Sequence, residues 1–250
     1  MDTVTDLLDK LWQGMQAGAI TAALPETRVD DGQTLQLALL QKWLDTGETL
    51  GGYKIGLTSG AARNMFGEGI RPFGFILSSR IHQSGDTLDR SSVGALGLEN
   101  ELVFRVAEDI ASDSADSQLA RSVVDGVAPG FEINQIRLKT GASQGIRIAE
   151  NLTQWGIVAG HFIGPDQNFD DLTVSLTKGG ETIQKTAASG HIDNHFESIA
   201  ALINRLHQFG LGLKKGQLLI TGSYTRQTVN APGKWVGDFE GIGKVEVTVT

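Results

Sequence analysis

The chain has 250 residues, 40% of them hydrophobic, enough to bury one full core. Its formal net charge of -8 and pI near 5.1 argue against nucleic acid and anionic membrane as partners. With no cysteine, a disulfide framework, a thiolate metal site and a cysteine nucleophile are all excluded. No apolar run approaches the roughly 20 residues of a membrane helix, and the start, MDTVTDLLDK, is acidic where a signal peptide is basic, so a cytoplasmic protein is expected.

In chain order, residues 3–17 set Leu8, Leu11, Trp12 and Met15 at helical spacing, with Thr3 and Asp6 as start signals and Gly18 as a stop. A second helix is expected over residues 31–45, with Leu35, Leu39 and Trp43 on one stripe. The two read as an N-terminal helical pair serving packing or subunit contact. Near residue 50 the texture changes to short apolar runs broken by glycine: GGYKIGLTS, FGFILSSRI, LGLENELVFRV, GFEINQI, WGIVAGHFIG, LTVSLTKGGETIQ, QLLITGSY and KVEVTVT. Pieces at this density, mostly without intervening helices, argue a largely β core, and Gly 32 against five prolines favours tight turns. This gives a helical region over 1–50 and a β-rich region over 51–250. Lys178-Gly179-Gly180-Glu181 is a two-residue hairpin candidate. Helical inserts are expected over residues 117–124 and 194–209, the second with Asn194 and Glu197 at capping-box spacing.

The chemistry-bearing stretch is LGLENELVFRV. In an extended chain Leu98, Leu102, Phe104 and Val106 share one face, so Glu99 and Glu101 share the other. In GFEINQI, Phe131 and Ile133 alternate with Glu132 and Asn134. A fold that brings Glu132 beside the pair makes three carboxylates converge, and a hard divalent cation compensates them. The alternative is a solvated sheet face carrying no ion.

Taken together, Gly52-Tyr53-Lys54-Ile55-Gly56-Leu57-Thr58-Ser59, Leu98-Glu99-Asn100-Glu101, Phe131-Glu132-Ile133 and Thr221-Gly222-Ser223 resemble the 2-keto-4-pentenoate hydratase / 4-oxalocrotonate decarboxylase family, within the fumarylacetoacetate hydrolase superfamily. The resemblance implies an α+β protein with a mixed β-roll core of the fumarylacetoacetate hydrolase type, the β-roll catalytic domain spanning 51–250. It implies Mg2+ or Mn2+ on Glu99, Glu101 and Glu132, and a 2-oxo acid substrate chelated through its carboxylate and keto oxygen. The ion polarises the keto group and stabilises the enolate as its charge develops. Lys54 is implied near this centre as a substrate cation or proton carrier; the alternative is a surface strand lysine. Thr58, Ser59 and Ser223 either touch substrate or only stabilise backbone. A homo-oligomer is implied, with a complex with a related enzyme as an alternative.

Two departures stand out. An acidic residue before the aromatic-glycine of Arg71-Pro72-Phe73-Gly74 is replaced by Pro72, and a family Asp-Asn-Ala-Ser run reads here as Gln154-Trp155-Gly156-Ile157. Substitutes for the missing groups are His161, as an acid–base group, and Arg71, as a clamp for a second substrate carboxylate; His191 and His195 are further candidates. Trp155 is expected to enlarge the apolar pocket wall. The reaction expected is that of a metal-dependent lyase, hydratase-like or decarboxylase-like. The alternatives are a C–C bond hydrolase or tautomerase of acylpyruvate-type substrates, and a non-catalytic partner subunit.

Overall fold

A computed structural model describes residues 4–59 and 62–250. In chain order the elements are α1 (Val4–Ala17), α2 (Val29–Asp45), β1 (Leu50–Ile55), β2 (Phe73–Leu77), β3 (Ile81–Gln83), β4 (Thr87–Leu88), α3 (Arg90–Val93), β5 (Leu96–Val106), α4 (Ser117–Ser122), β6 (Val124–Gln135), α5 (Gln144–Ala149), β7 (Gln154–Ala159), β8 (Thr173–Lys178), β9 (Glu181–Ala187), α6 (His195–Gln208), β10 (Leu218–Thr228), β11 (Gly233–Phe239) and β12 (Gly243–Val249).

A seven-stranded mixed sheet, in the order β2-β1-β10-β5-β6-β7-β3, faces a five-stranded sheet in the order β4-β12-β11-β8-β9. β5 and β6 lie centrally in the larger sheet, paired antiparallel along their whole length. Because side chains alternate on a strand, Leu98, Leu102, Phe104, Phe131 and Ile133 all enter the main core between the sheets, while the glutamates point the other way. The expected α+β class and mixed sheet are what the structure has.

The Gly179-Gly180 hairpin forms between β8 and β9 with both glycines at positive φ, the signature of a primed turn. On α6 the Asn194 side-chain oxygen accepts from the backbone N–H groups of Phe196 and Glu197. Helix α5 has no counterpart in the sequence reading: its six residues are too few to display a helical period. It packs against α2 at a backbone contact that only glycines permit. A Cβ on Gly145 would stand 2.3 Å from the Arg28 carbonyl oxygen, and one on Gly32 would stand 2.1 Å from that of Gly145.

Two buried glutamines tie α2 to the sheet. Gln36 Nε2 donates to the Phe73 carbonyl at 2.6 Å, and Gln33 bonds both backbone groups of the same residue.

Candidate active site

Glu99 on β5 and Glu132 on β6 are register partners, and Glu101 follows two positions along, so all three carboxylates emerge on one face. One oxygen from each lies within 4.8 Å of the other two. The three residues are at most 3% exposed, which corrects the alternative of a solvated sheet face.

Each glutamate has its own polar partner. Glu99 Oε1 accepts from Asn134 Nδ2 at 2.9 Å and from Arg226 Nε at 2.7 Å. Glu101 Oε2 accepts from the Gly222 N–H at 2.7 Å. Glu132 pairs with Lys54, whose ammonium also donates to the Leu152 carbonyl at 3.2 Å. Gly222 sits where β10 slips its register against β5, at φ +128°, and a Cβ there would stand 2.2 Å from Thr58 Oγ1. Glycine is therefore required by both backbone and space.

The electrostatics follow from burial. Loss of water, then the charges of Glu132 and Glu99, push the Glu101 carboxyl well above the usual carboxylate range. Burial also raises Glu132, against the opposing pull of Lys54. For Lys54, burial acts to lower the pKa, but Glu132, Glu99 and Glu101 together outweigh it and hold the ammonium above its ordinary value. Three hard oxygen donors that repel one another, with neither sulfur nor imidazole among them, fit a divalent ion of the magnesium or manganese type.

Behind Lys54 the chain from Asn151 to Thr153 runs through three consecutive left-handed residues, at φ +72°, +53° and +63°. Each such residue costs on the order of 1–3 kcal/mol and persists only where its surroundings over-determine it. Here they do. Asn151 bonds both backbone groups of Phe75, at 2.8 and 2.9 Å. Thr153 Oγ1 donates to Asn134 Oδ1 at 2.6 Å. Buried Arg137 donates to Glu150 Oε2, the Glu150 carbonyl and the Gln154 carbonyl, while Glu150 Oε1 accepts from the Thr153 N–H.

Glu150-Asn151-Leu152-Thr153 is an acid–asparagine–x–hydroxyl run lying four residues before the segment read as its replacement, and its Leu152 and Thr153 line the cavity beside Lys54. With α5 unrecognised, nothing in the sequence places a turn there. Residues Gln154 to Ile157 belong to β7.

A cavity of about 480 Å3 opens at Lys54, walled by Leu57, Phe66, Pro72 and Leu152, with Arg226 beside it. Thr58 is buried against Gly222, and Ser223 is the register partner of Glu101. Ser59 is half-buried, and its carbonyl accepts from the N–H groups of Ala62 and Arg63.

The other expected residues lie elsewhere. Arg71 Nη1 donates to the carbonyls of Arg63 and Ile70, and the side chain lines a neighbouring cavity with Thr58 and Asp193. His161 is exposed in a separate cavity with Gln83, Arg105 and Phe162, so the structure does not bring it to the glutamates. Trp155 stacks on His82, ring centroids 5.9 Å apart, under the Arg80 guanidinium; it is not part of the wall around Lys54, which removes the expected enlargement. His191 bonds Thr186. His195 is buried between Thr221 Oγ1 and the Tyr224 hydroxyl, each 2.7 Å away, and burial lowers its pKa to about 3.

No family model matches the chain. Among curated proteins it is 25% identical to a 2-hydroxyhexa-2,4-dienoate hydratase of Comamonas testosteroni, over 96% of this chain and 95% of that one. It is 24% identical to a 2-keto-4-pentenoate hydratase of Paraburkholderia xenovorans, over 94% and 90% of the two chains. It is also 24% identical to a 4-oxalocrotonate decarboxylase of Pseudomonas putida, over 90% and 87%. Among solved structures, 4-oxalocrotonate decarboxylase from Pseudomonas putida G7, complexed with magnesium and adipate, superposes with a TM-score of 0.88 at 18% identity, covering 100% of this chain and 99% of the other. Fumarylpyruvate hydrolase from Pseudomonas aeruginosa, in complex with Mn2+ and pyruvate, superposes with a TM-score of 0.57 at 21% identity over 79% of this chain and 88% of that one. Along nearly its whole length, then, the chain is a relative of the 2-keto-4-pentenoate hydratase / 4-oxalocrotonate decarboxylase family, on a fold of the fumarylacetoacetate hydrolase type.

Proposed function

We propose that this protein is a divalent-metal-dependent lyase acting on a 2-oxo acid, hydratase-like or decarboxylase-like. The observation that carries the reading is the buried cluster of Glu99, Glu101 and Glu132, with Lys54 paired to it. Relatives named as hydratases and a decarboxylase, and neighbours solved with magnesium or with Mn2+ and pyruvate, support it. An ion of this kind supplies Lewis-acid polarisation of the 2-oxo group. In this reading Lys54 Nζ, oriented by Glu132 and the Leu152 carbonyl, binds the substrate carboxylate or carries the proton exchanged at the carbon next to the keto group. Ser223, the register partner of Glu101, hydrogen-bonds the substrate, and the apolar walls exclude water around its hydrocarbon part.

A hydrolase needs a base to activate water, for which a histidine beside a glutamate is the signature. Among the described residues no histidine lines the Lys54 cavity, which favours the lyase. No helix among the described residues is long and apolar enough to cross a membrane. A cytoplasmic setting and assembly into a homo-oligomer belong to the same proposal, the latter readable by light scattering.

The test is calorimetric titration of metal-stripped protein with Mg2+ or Mn2+, with and without oxalate. Oxalate binding that requires metal and disappears in Glu101→Gln, with the fold intact by circular dichroism, supports the reading. Absence of metal binding under both conditions overturns it.

A further inference from the structure

The stretch of β10 that serves Glu101 is gripped from behind. β10 takes five residue steps from Ile220 to Thr225 where β5 takes three from Val103 to Asn100, so β10 bulges and the ladder is broken there. The inner pair of this bulge belongs to the glutamate face: the Gly222 N–H donates to Glu101 Oε2, and Ser223 is the register partner of Glu101. The outer pair, Thr221 and Tyr224, is buried. One imidazole spans that outer pair. His195 Nδ1 lies 2.7 Å from Thr221 Oγ1, and its Nε2 lies 2.7 Å from the Tyr224 hydroxyl.

The imidazole is itself fixed on several sides. His195 is the first residue of α6, whose start is set by the Asn194 cap. Its ring centroid lies 5.3 Å from that of Phe104 and 5.2 Å from that of Phe169. Phe104 stands on β5, three positions after Glu101 and on the opposite face, so the histidine rests on the strand that carries the glutamate while it holds the strand that partners it. Burial keeps the ring neutral, with one donor and one acceptor nitrogen. Because a hydroxyl can play either part, one hydroxyl donates to the ring while the ring donates to the other.

The cavity that His195 lines, with Phe169, Asp170 and Asp193, is not the one at Lys54, so its route to the glutamates is through β10. Glu132 is paired with Lys54 and Glu99 with Arg226, whereas Glu101 is held by a backbone N–H whose place depends on the shape of the bulge. We propose that His195 is a positioning residue for the glutamate centre: by clamping Thr221 and Tyr224 it keeps the Gly222 N–H on Glu101 and Ser223 beside it. This deepens the proposed function and rests on its metal site.

The experiment titrates Mg2+ calorimetrically into the wild type, His195→Phe, Tyr224→Phe and Leu206→Ala, with the Gly222 amide followed by NMR in each. His195→Phe keeps an aromatic ring and loses both bonds; Tyr224→Phe loses one. Leu206→Ala truncates the core farther along the same helix and controls for lost stability alone. Groups that orient a metal ligand commonly carry tenfold or more in affinity, so His195→Phe is expected to bind Mg2+ about tenfold more weakly, and Leu206→Ala within about twofold of the wild type. The Gly222 amide proton should move upfield and exchange faster in His195→Phe, with smaller changes of the same sign in Tyr224→Phe. Should His195→Phe fail to fold, Tyr224→Phe decides by the same readouts. Unchanged Mg2+ affinity, an unmoved Gly222 amide, or an equal loss of affinity in Leu206→Ala overturns the proposal, while metal-dependent oxalate binding by the wild type leaves the lyase reading standing. Absence of that binding in the wild type overturns both.

Discussion

The ammonium of Lys54 donates to the carbonyl of Leu152, 3.2 Å away, and Leu152 is itself held in a left-handed conformation at φ +53°. The lysine is thus aimed by a strained backbone as well as by Glu132. Replacing it with methionine separates its two effects. Without the competing ammonium, Glu132 is freer to bind a cation, so Lys54→Met is expected to bind Mg2+ severalfold more tightly while exchange of the C3 protons of 2-oxobutyrate with solvent deuterium falls about 10²- to 10⁴-fold. Calorimetry and proton NMR read the two quantities. Weaker metal binding together with unchanged exchange refutes the assignment.

Arg137 and Glu150 form a fully buried ion pair that anchors the turn. Removing one partner leaves an uncompensated buried charge, so Arg137→Met should lose about 3–5 kcal/mol in urea unfolding. The double variant Arg137→Met/Glu150→Leu, with no orphaned charge, should recover much of that stability. It should not recover Lys54-dependent proton exchange, because the donors to the Glu150 and Gln154 carbonyls and the acceptor for the Thr153 N–H are gone.

Gly222 should tolerate no side chain. Gly222→Ala meets Thr58 Oγ1 and an unfavourable φ, and it displaces the N–H that bonds Glu101. The expected outcome is a loss of about 1–3 kcal/mol and weaker Mg2+ binding. Adding Thr58→Ala relieves the clash but not the φ, so a double-mutant cycle should show partial, not full, recovery.

His195 should make the protein acid-sensitive. Its folded pKa of about 3 lies below the ordinary 6.5, so below pH 6.5 the unfolded chain takes up a proton that the folded chain refuses. This contribution to stability is complete above pH 6.5 and declines toward pH 3, by ~1.4 kcal/mol per pH unit at most. Urea unfolding at pH 7 and pH 5.5 should show a smaller drop in His195→Gln than in the wild type. An equal drop in both assigns the acid sensitivity to other groups.

Much of this was legible in the residues themselves. Alternation put Glu99, Glu101 and Glu132 on strand faces, and the capping of α6 by Asn194 and the Gly179-Gly180 hairpin follow from local chemistry. That the glutamates are buried was not legible. A strand that is covered on both faces and one that is solvated on one face read alike when the inward-facing polar groups serve a site. Helix α5 escaped because six residues show no period, and with it went the position of the acid–asparagine–x–hydroxyl run. Arg226 carries no signal at all, since it reaches Glu99 only through the pairing of β10 with β5. Trp155 and His161 misled in the opposite sense: both are chemically conspicuous, yet Trp155 packs on His82 under Arg80 and His161 lies in a separate cavity, so neither lines the cavity at Lys54.

The glutamine and glycine contacts of α2 bear on how this protein can be divided. A cut at residue 50 would strip Gln33 and Gln36 from Phe73 and remove the shelf against which Gly145 rests. The strands after it would keep their glutamates but lose the brace behind Leu152. Anyone grafting this centre onto another scaffold must therefore carry the second helix along as cargo, because a segment remote in sequence is half of the mould in which the lysine is cast.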